Sequence, residues 1–222
     1  MKRMRFRDPM GIVREGVVDA GSVTSGGRTH SLDEIEVLPP ADPSKIIGVG
    51  LNYREHVEEG DMDAPDRPIL FMKPPVSVSS HGSTIELPEP SKEYVPEVEL
   101  GVVIGEKIWQ ADSPTVPDVI AGYTCGNDFS NRTDMQGVLD VFRGKIFDGS
   151  ATIGPVIASP DEVPATAEIR LSINGSTRQD STIDEMIFSV QEIISEICEY
   201  VTLLPGDVVL TGTPKGVGLA TG

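Results

Sequence analysis

Basic charge is scarce in this sequence. Eighteen Lys and Arg face 35 Asp and Glu over 222 residues, a formal net charge of −17. Nucleic acid and anionic membranes demand basic patches, so neither is expected as a partner. Cysteine is nearly absent too: Cys125 and Cys198 are the only two. Neither stands in a Cys-x-x-Cys arrangement, which leaves no zinc signature and no disulfide framework. Both read as buried thiols in a reducing compartment. No run approaches roughly 18 apolar residues, so nothing reads as a membrane span. The start, MKRMRFRDPMG, is basic but lacks the apolar stretch of a secretory signal, and the chain reads as cytoplasmic. Hydrophobic residues make up 38 %, enough for one core with a small appendage.

What is present is mostly short and strand-like. Residues 1–42 are small β pieces broken by DAGSVTSGGRTH and closed by the Pro-rich LPPADP, which marks a boundary before a larger unit over 43–222. KIIGVGLN reads as a strand, and YREHVEEG as one or two helical turns stopped by Gly60. TVPDVIAGYTCGNDFS begins as a helix with Pro117 in its first turn, then becomes strand or loop near Asn127. GKIFDGSATIGPVI and EIRLSINGS read as β, the second with an Asn174-Gly175 turn. SVQEIISEICEYVTLL is the one long helix, with a Ser189–Glu192 capping box, one apolar face, and Pro205-Gly206 as its stop. There is no regular βαβ alternation, so a mixed or antiparallel sheet assembly is expected, mostly β (α+β).

Two glutamates break the apolar pattern of EYVPEVELGVVIG. Side chains alternate along a strand, so Glu97 and Glu99 share a face, with Val103 further along it. Two readings stand: a half-buried strand with a wet face, or a shared hard cation such as Mg²⁺, Mn²⁺ or Ca²⁺ between like charges. Asp128 in GNDFSNR reads as an Asx turn or as a third oxygen ligand. His56 and Glu59, three apart in NYREHVEE, are neighbours on a helix. They form a surface turn, or an oriented base able to activate water, on a short charged segment with little apolar anchoring. Lys145 in GKIFDG either pairs with Asp148 or stabilises a developing oxyanion.

GLNYREHVEE, FMKPP, PEVELGVVIG, GYTCGNDFSNR, GKIFDGSATIGP and LTGTPKGVG follow one another over residues 45–218. In this order they resemble the fumarylacetoacetate hydrolase family. The resemblance implies a rolled mixed β-sheet fold of that family's C-terminal domain type, a small N-terminal domain and a homodimer. It implies one Mg²⁺ or Mn²⁺ on Glu97, Glu99 and Asp128, a His56–Glu59 dyad, Lys145, and substrate contacts from Arg132 and Thr213. The implied substrate is a small molecule, a 2-oxo or 1,3-dioxo acid handled through a metal-stabilised enolate. Hydrolytic C–C cleavage of acylpyruvate-like substrates comes first. Isomerisation or decarboxylation of hydroxymuconate-type diacids or oxaloacetate, as in aromatic-compound breakdown, is the alternative. A non-catalytic metal-stabilised binding protein is a third reading, and the intact dyad and lysine count against it. Two departures from the family pattern stand out. The Asp and Gln after the metal aspartate are displaced by one place, at Asp134 and Gln136. The chain also ends at GVGLATG where relatives continue, as a fragment or an incomplete sheet would.

Overall fold

The structure is a computed structural model that describes residues 1–110, 113–135 and 141–217. Sixteen strands are described: Lys2–Arg7 (β1), Val13–Asp19 (β2), Ser22–Ser25 (β3), Arg28–Ser31 (β4), Glu36–Val37 (β5), Ile46–Gly50 (β6), Ile69–Lys73 (β7), Val78–Ser79 (β8), Tyr94–Val95 (β9), Val98–Ile104 (β10), Ile120–Asp128 (β11), Ser130–Asn131 (β12), Ala151–Ala158 (β13), Glu168–Ile173 (β14), Ser176–Thr182 (β15) and Val208–Leu210 (β16). The α-helices are Arg54–Glu59 (α1), Val141–Lys145 (α2) and Val190–Tyr200 (α3). The 12-stranded main sheet runs β4-β3-β2-β1-β13-β11-β10-β16-β6-β7, with β5 on β1 and β8 on β13. Pairing is mixed: β16–β6 and β13–β8 are parallel, while β10 lies antiparallel to both β11 and β16. This is the mostly β, mixed-sheet architecture that the sequence pattern implied.

Alternation along β10 divides the interior. Leu100, Val102 and Ile104 pack against Val190, Ile193, Ile194 and Ile197 of α3. Val103 points to the opposite side, into a second core with Ile153, Val208 and Leu210. The whole of β10 is buried, so its glutamate-bearing face is not wet, because a second apolar layer covers its far end. The N-terminal strands keep a small core of Met4, Phe6 and Val23. They join the main sheet through β1, where Lys2 and Arg3 pair with Ala158 and Ile157 of β13.

Three local expectations need correction. The segment before β11 is a 3₁₀ helix, Ser113–Val119, with Pro117 inside it; a residue without an N–H cannot serve an α-helical ladder. The capping box of α3 forms, with Ser189 accepting from the Glu192 N–H, but the helix ends at Tyr200, four residues before Leu204. Leu203 leaves it to pair with Ile108 in an isolated antiparallel bridge, so a tertiary pairing ends the helix before Pro205 is reached. Cys198 is buried as expected, but Cys125 is exposed.

Asp207 ties the start of the larger unit to the turn before β16. Its buried carboxylate accepts from the Ser44 N–H (3.0 Å), Ser44 Oγ (2.7 Å), the Lys45 N–H (3.2 Å) and the Leu204 N–H (2.8 Å), and pairs with the Lys45 ammonium. Burial alone would raise its pKa. The Lys45, Leu204 and Ser44 donors outweigh burial and hold it below the usual range. Asp207→Ala strands these donors, and is expected to destabilise the fold by about 3 kcal/mol in urea titrations. Because the folded pKa is depressed, this contribution is present above the ordinary Asp value and lost as pH falls through the folded one.

Candidate functional site

Adjacent strands bring three acidic side chains together. In the antiparallel β10–β11 register Val98 faces Asn127, and the Asp128 N–H donates to the Glu97 carbonyl at 2.8 Å. Asp128 thus sits beside the Glu97–Glu99 pair. Glu97 is 6 % exposed, Glu99 1 % and Asp128 0 %. One carboxylate oxygen from each lies within 4.8 Å of the others. Three like charges so placed cannot persist without cations or protons between them.

Two lysines supply part of that charge. Lys145, at the end of α2, donates to Glu97 Oε2 at 2.7 Å, Asp128 Oδ2 at 2.5 Å and Ser130 Oγ at 2.6 Å. The sequence placed Lys145 in a β-like stretch beside Asp148, whereas the chain turns through a short helix and aims it at the acidic cluster. Lys73, at the end of β7 and wholly buried, donates to Asp128 Oδ1 at 2.6 Å. It stands in the FMKPP motif, but sequence reasoning gave it no role. The available signal was a lone lysine closing an apolar strand before two prolines. Burial acts against each charge, yet Lys145 and Lys73 together hold Asp128 below its ordinary pKa, and Asp128 and Glu97 hold Lys145 above its own. For Lys73 burial wins and its pKa falls.

Glu99 is served differently. Its only hydrogen bond among the described residues comes from the Gly212 N–H, 2.8 Å from Oε2. Burial, then the neighbouring Asp128 charge, push its pKa well above the usual carboxylate range. Gly212 is at φ +95°, where a Cβ would lie 2.7 Å from Asn52 Cβ, so only glycine brings this N–H to Glu99. A buried carboxylate with one backbone donor, beside two more carboxylates, fits a hard divalent cation on oxygen ligands.

His56 and Glu59 stand on α1, and the charges of Glu97 and Lys145 act on the His56 ring. His56 and Val57 are both buried, so the helix has more apolar anchoring than its charged sequence implied. His56 Nδ1 is 3.9 Å from Glu59 Oε2 and has no hydrogen-bond partner among the described residues. Glu59 Oε2 accepts from the Gly216 N–H at 3.0 Å, which ties α1 to the late glycine turn. Burial pulls the His56 pKa below its usual value, which keeps the ring neutral and able to accept a proton. Arg132 Nη2 lies 3.5 Å from Glu97 Oε1, and its Nε is buried without a partner among the described residues. Thr213 is buried, and its Oγ accepts from Gln179 Nε2 at 2.7 Å. Gln179 is a second residue that sequence reasoning missed. Gln136, whose displacement the sequence raised, lies outside the described residues.

A mixed β-sheet whose strands aim a carboxylate trio at two buried lysines defines a protein with an acidic, oxygen-rich centre of the hard-cation type. The chain belongs to the fumarylacetoacetate hydrolase family: the model "Fumarylacetoacetate (FAA) hydrolase C-terminal" matches residues 45–222. It is 36 % identical over 222 residues to a 2,4-didehydro-3-deoxy-L-rhamnonate hydrolase of Sphingomonas sp. strain SKA58, covering 96 % of this chain and 78 % of the relative. In structure it is similar to a 5-carboxymethyl-2-hydroxymuconate delta-isomerase of Mycobacterium smegmatis, with TM-score 0.88, 32 % identity, and 98 % and 89 % of the two chains covered. It is also similar to a maleylpyruvate hydrolase of Sphingobium sp. SYK-6 in complex with manganese(II) and pyruvate, with TM-score 0.82, 25 % identity, and coverage of 98 % and 90 %. Members of this family are enzymes, and those named here include hydrolases and an isomerase. Among the described residues no helix is long and apolar enough to cross a membrane.

Proposed function

We propose that this chain is a divalent-metal-dependent enzyme acting on 2-oxo or 1,3-dioxo acids through an enolate, with hydrolytic C–C cleavage of acylpyruvate-like substrates as its reaction. The observation that carries this reading is the buried convergence of Glu97, Glu99 and Asp128. These three would hold Mg²⁺ or Mn²⁺, and the bound ion would supply Lewis-acid stabilisation of negative charge on the substrate's oxygens.

The chain's own residues then divide the work. Neutral His56, with Glu59 beside it, takes a proton from water as the water oxygen bonds the distal carbonyl carbon. The oxyanion then collapses, the C–C bond to the 2-oxo acid fragment breaks, that fragment leaves as an enolate, and the proton on His56 passes to it. Lys145, held above its ordinary pKa, stays an ammonium and meets developing oxyanion charge. Arg132 and Thr213 hold the substrate's acidic groups. The covering core keeps bulk water from the cluster, which strengthens each of these interactions. We place residues 1–42 outside this site, since every residue named here falls between Asn52 and Gly216. We also read the working protein as a cytoplasmic homodimer.

Isomerisation or decarboxylation is the second reading, favoured by the TM-score of 0.88 to a hydroxymuconate-type isomerase. Both need an enolate but no attacking water. Assays of acetylpyruvate, oxaloacetate and a hydroxymuconate-type diacid with Mg²⁺ or Mn²⁺ separate the readings. Cleavage of acetylpyruvate well above the other two rates is expected, and absence of turnover on all three defeats the proposal.

A further inference from the structure

Gln179 lies on β15, in a hairpin whose side chains are mostly exposed, yet it is 1 % exposed. Every polar atom of its carboxamide is engaged. The Val98 N–H, which only donates, lies 2.8 Å from Oε1. The Pro214 carbonyl, which only accepts, lies 2.9 Å from Nε2. These two backbone groups settle which end of the amide is oxygen and which is nitrogen. The second Nε2 hydrogen is directed at Thr213 Oγ, 2.7 Å away. Thr213 Oγ must therefore accept from Gln179, and its single proton is left to donate elsewhere.

We propose that Gln179 is a positioning residue that holds the Thr213 hydroxyl as a donor, so that the site takes a ligand presenting an acceptor-only group there, a carboxylate oxygen. The inference rests on the reading of Thr213 as a substrate contact, and deepens it. A free threonine hydroxyl turns to suit either a donor or an acceptor and discriminates weakly. With one lone pair engaged by a buried amide, the Thr213 hydroxyl turns its proton toward the ligand, which favours a group that accepts, as either oxygen of a carboxylate does.

The test uses the full chain loaded with Mn²⁺ and acetylpyruvate as substrate. Gln179→Met keeps the length but removes the amide. It is expected to raise KM about tenfold with kcat changed by less than about threefold, as loss of an interaction present in both ground and transition states requires. In a Thr213→Val background the same change should add nothing to KM. Equal KM increases in both backgrounds, or a fall in kcat with KM unchanged, overturn the proposal. If Gln179→Met does not fold, Gln179→Glu keeps the volume and the acceptor for Val98 but turns the Thr213 proton inward. Its KM increase should be larger in the parent chain than in the Thr213→Val background, and equal increases overturn the proposal. The thermal midpoints of the same proteins need no substrate. Less-than-additive losses support the Gln179–Thr213 link, and additive losses overturn it. Absence of wild-type turnover of acetylpyruvate defeats the substrate reading alone, and the thermal cycle still decides the positioning claim.

Discussion

Glu99→Gln is expected to abolish turnover while raising the thermal midpoint of the metal-free protein. Among the described residues Glu99 has one backbone donor to its buried carboxylate and no lysine bonded to it, and burial and Asp128 push its pKa up despite the nearby Lys145 charge. In the absence of a cation, its charge opposes folding. Glutamine keeps the shape and still accepts from the Gly212 N–H, so the metal-free chain loses a penalty and little else. A gain of about 1 kcal/mol would appear as about 2–4 °C in a domain of this size. The activity loss has the opposite sign. Removing one of three ligands should forfeit several kcal/mol of charge stabilisation, about a thousandfold or more in kcat/KM. A variant that is more stable and inactive separates ligation from folding. A variant that keeps its activity, or is less stable without metal, contradicts this account of Glu99.

His56→Ala has a large effect on one reaction only. Loss of a general base costs about 10² to 10⁴ in rate, and hydrolysis needs a base to activate water. Oxaloacetate decarboxylation needs enolate stabilisation alone, which a divalent ion held by the carboxylate cluster, together with Lys145, would still provide. Hydrolysis of acetylpyruvate should therefore fall steeply while decarboxylation changes little. The burial that lowers the His56 pKa extends the neutral form to lower pH. The hydrolytic limb governed by His56 should accordingly lie below the ordinary histidine value in a pH–rate profile. Equal losses in both reactions, with metal content unchanged, would make His56 an orienting residue instead of a water-activating base.

Much of the candidate site was legible because its residues stand in local patterns. Glu97 and Glu99 interrupt an apolar strand at the two-residue period, and a single register then brings Asp128 beside them. The capping box of α3 and the Asn174-Gly175 hairpin follow from chemistry within a few residues. What escaped notice depends on distant partners. Lys73 is one lysine at a strand end, and its meaning comes from Asp128, 55 residues on. Gln179 is an ordinary polar residue of an exposed hairpin until that hairpin folds over β10, bringing Val98, 81 residues away, to its amide. Lys145 was found, but its helical setting was not, since five residues carry too little periodicity to read. The end of α3 was misjudged for the same reason: the bridge between Leu203 and Ile108 leaves no local mark.

Calorimetric titration of Mn²⁺ into the metal-free chain and into its Asp128→Asn variant tests the central claim most directly. Asp128 is the carboxylate that two lysines hold ionised, and it stands on β11, the strand paired with β10, which carries Glu99 and directly follows Glu97. The account predicts one ion per chain in the parent and binding weakened by at least about tenfold in the variant, the effect usual even for residues that only support a ligand. Equal Mn²⁺ affinity in the two proteins would contradict it.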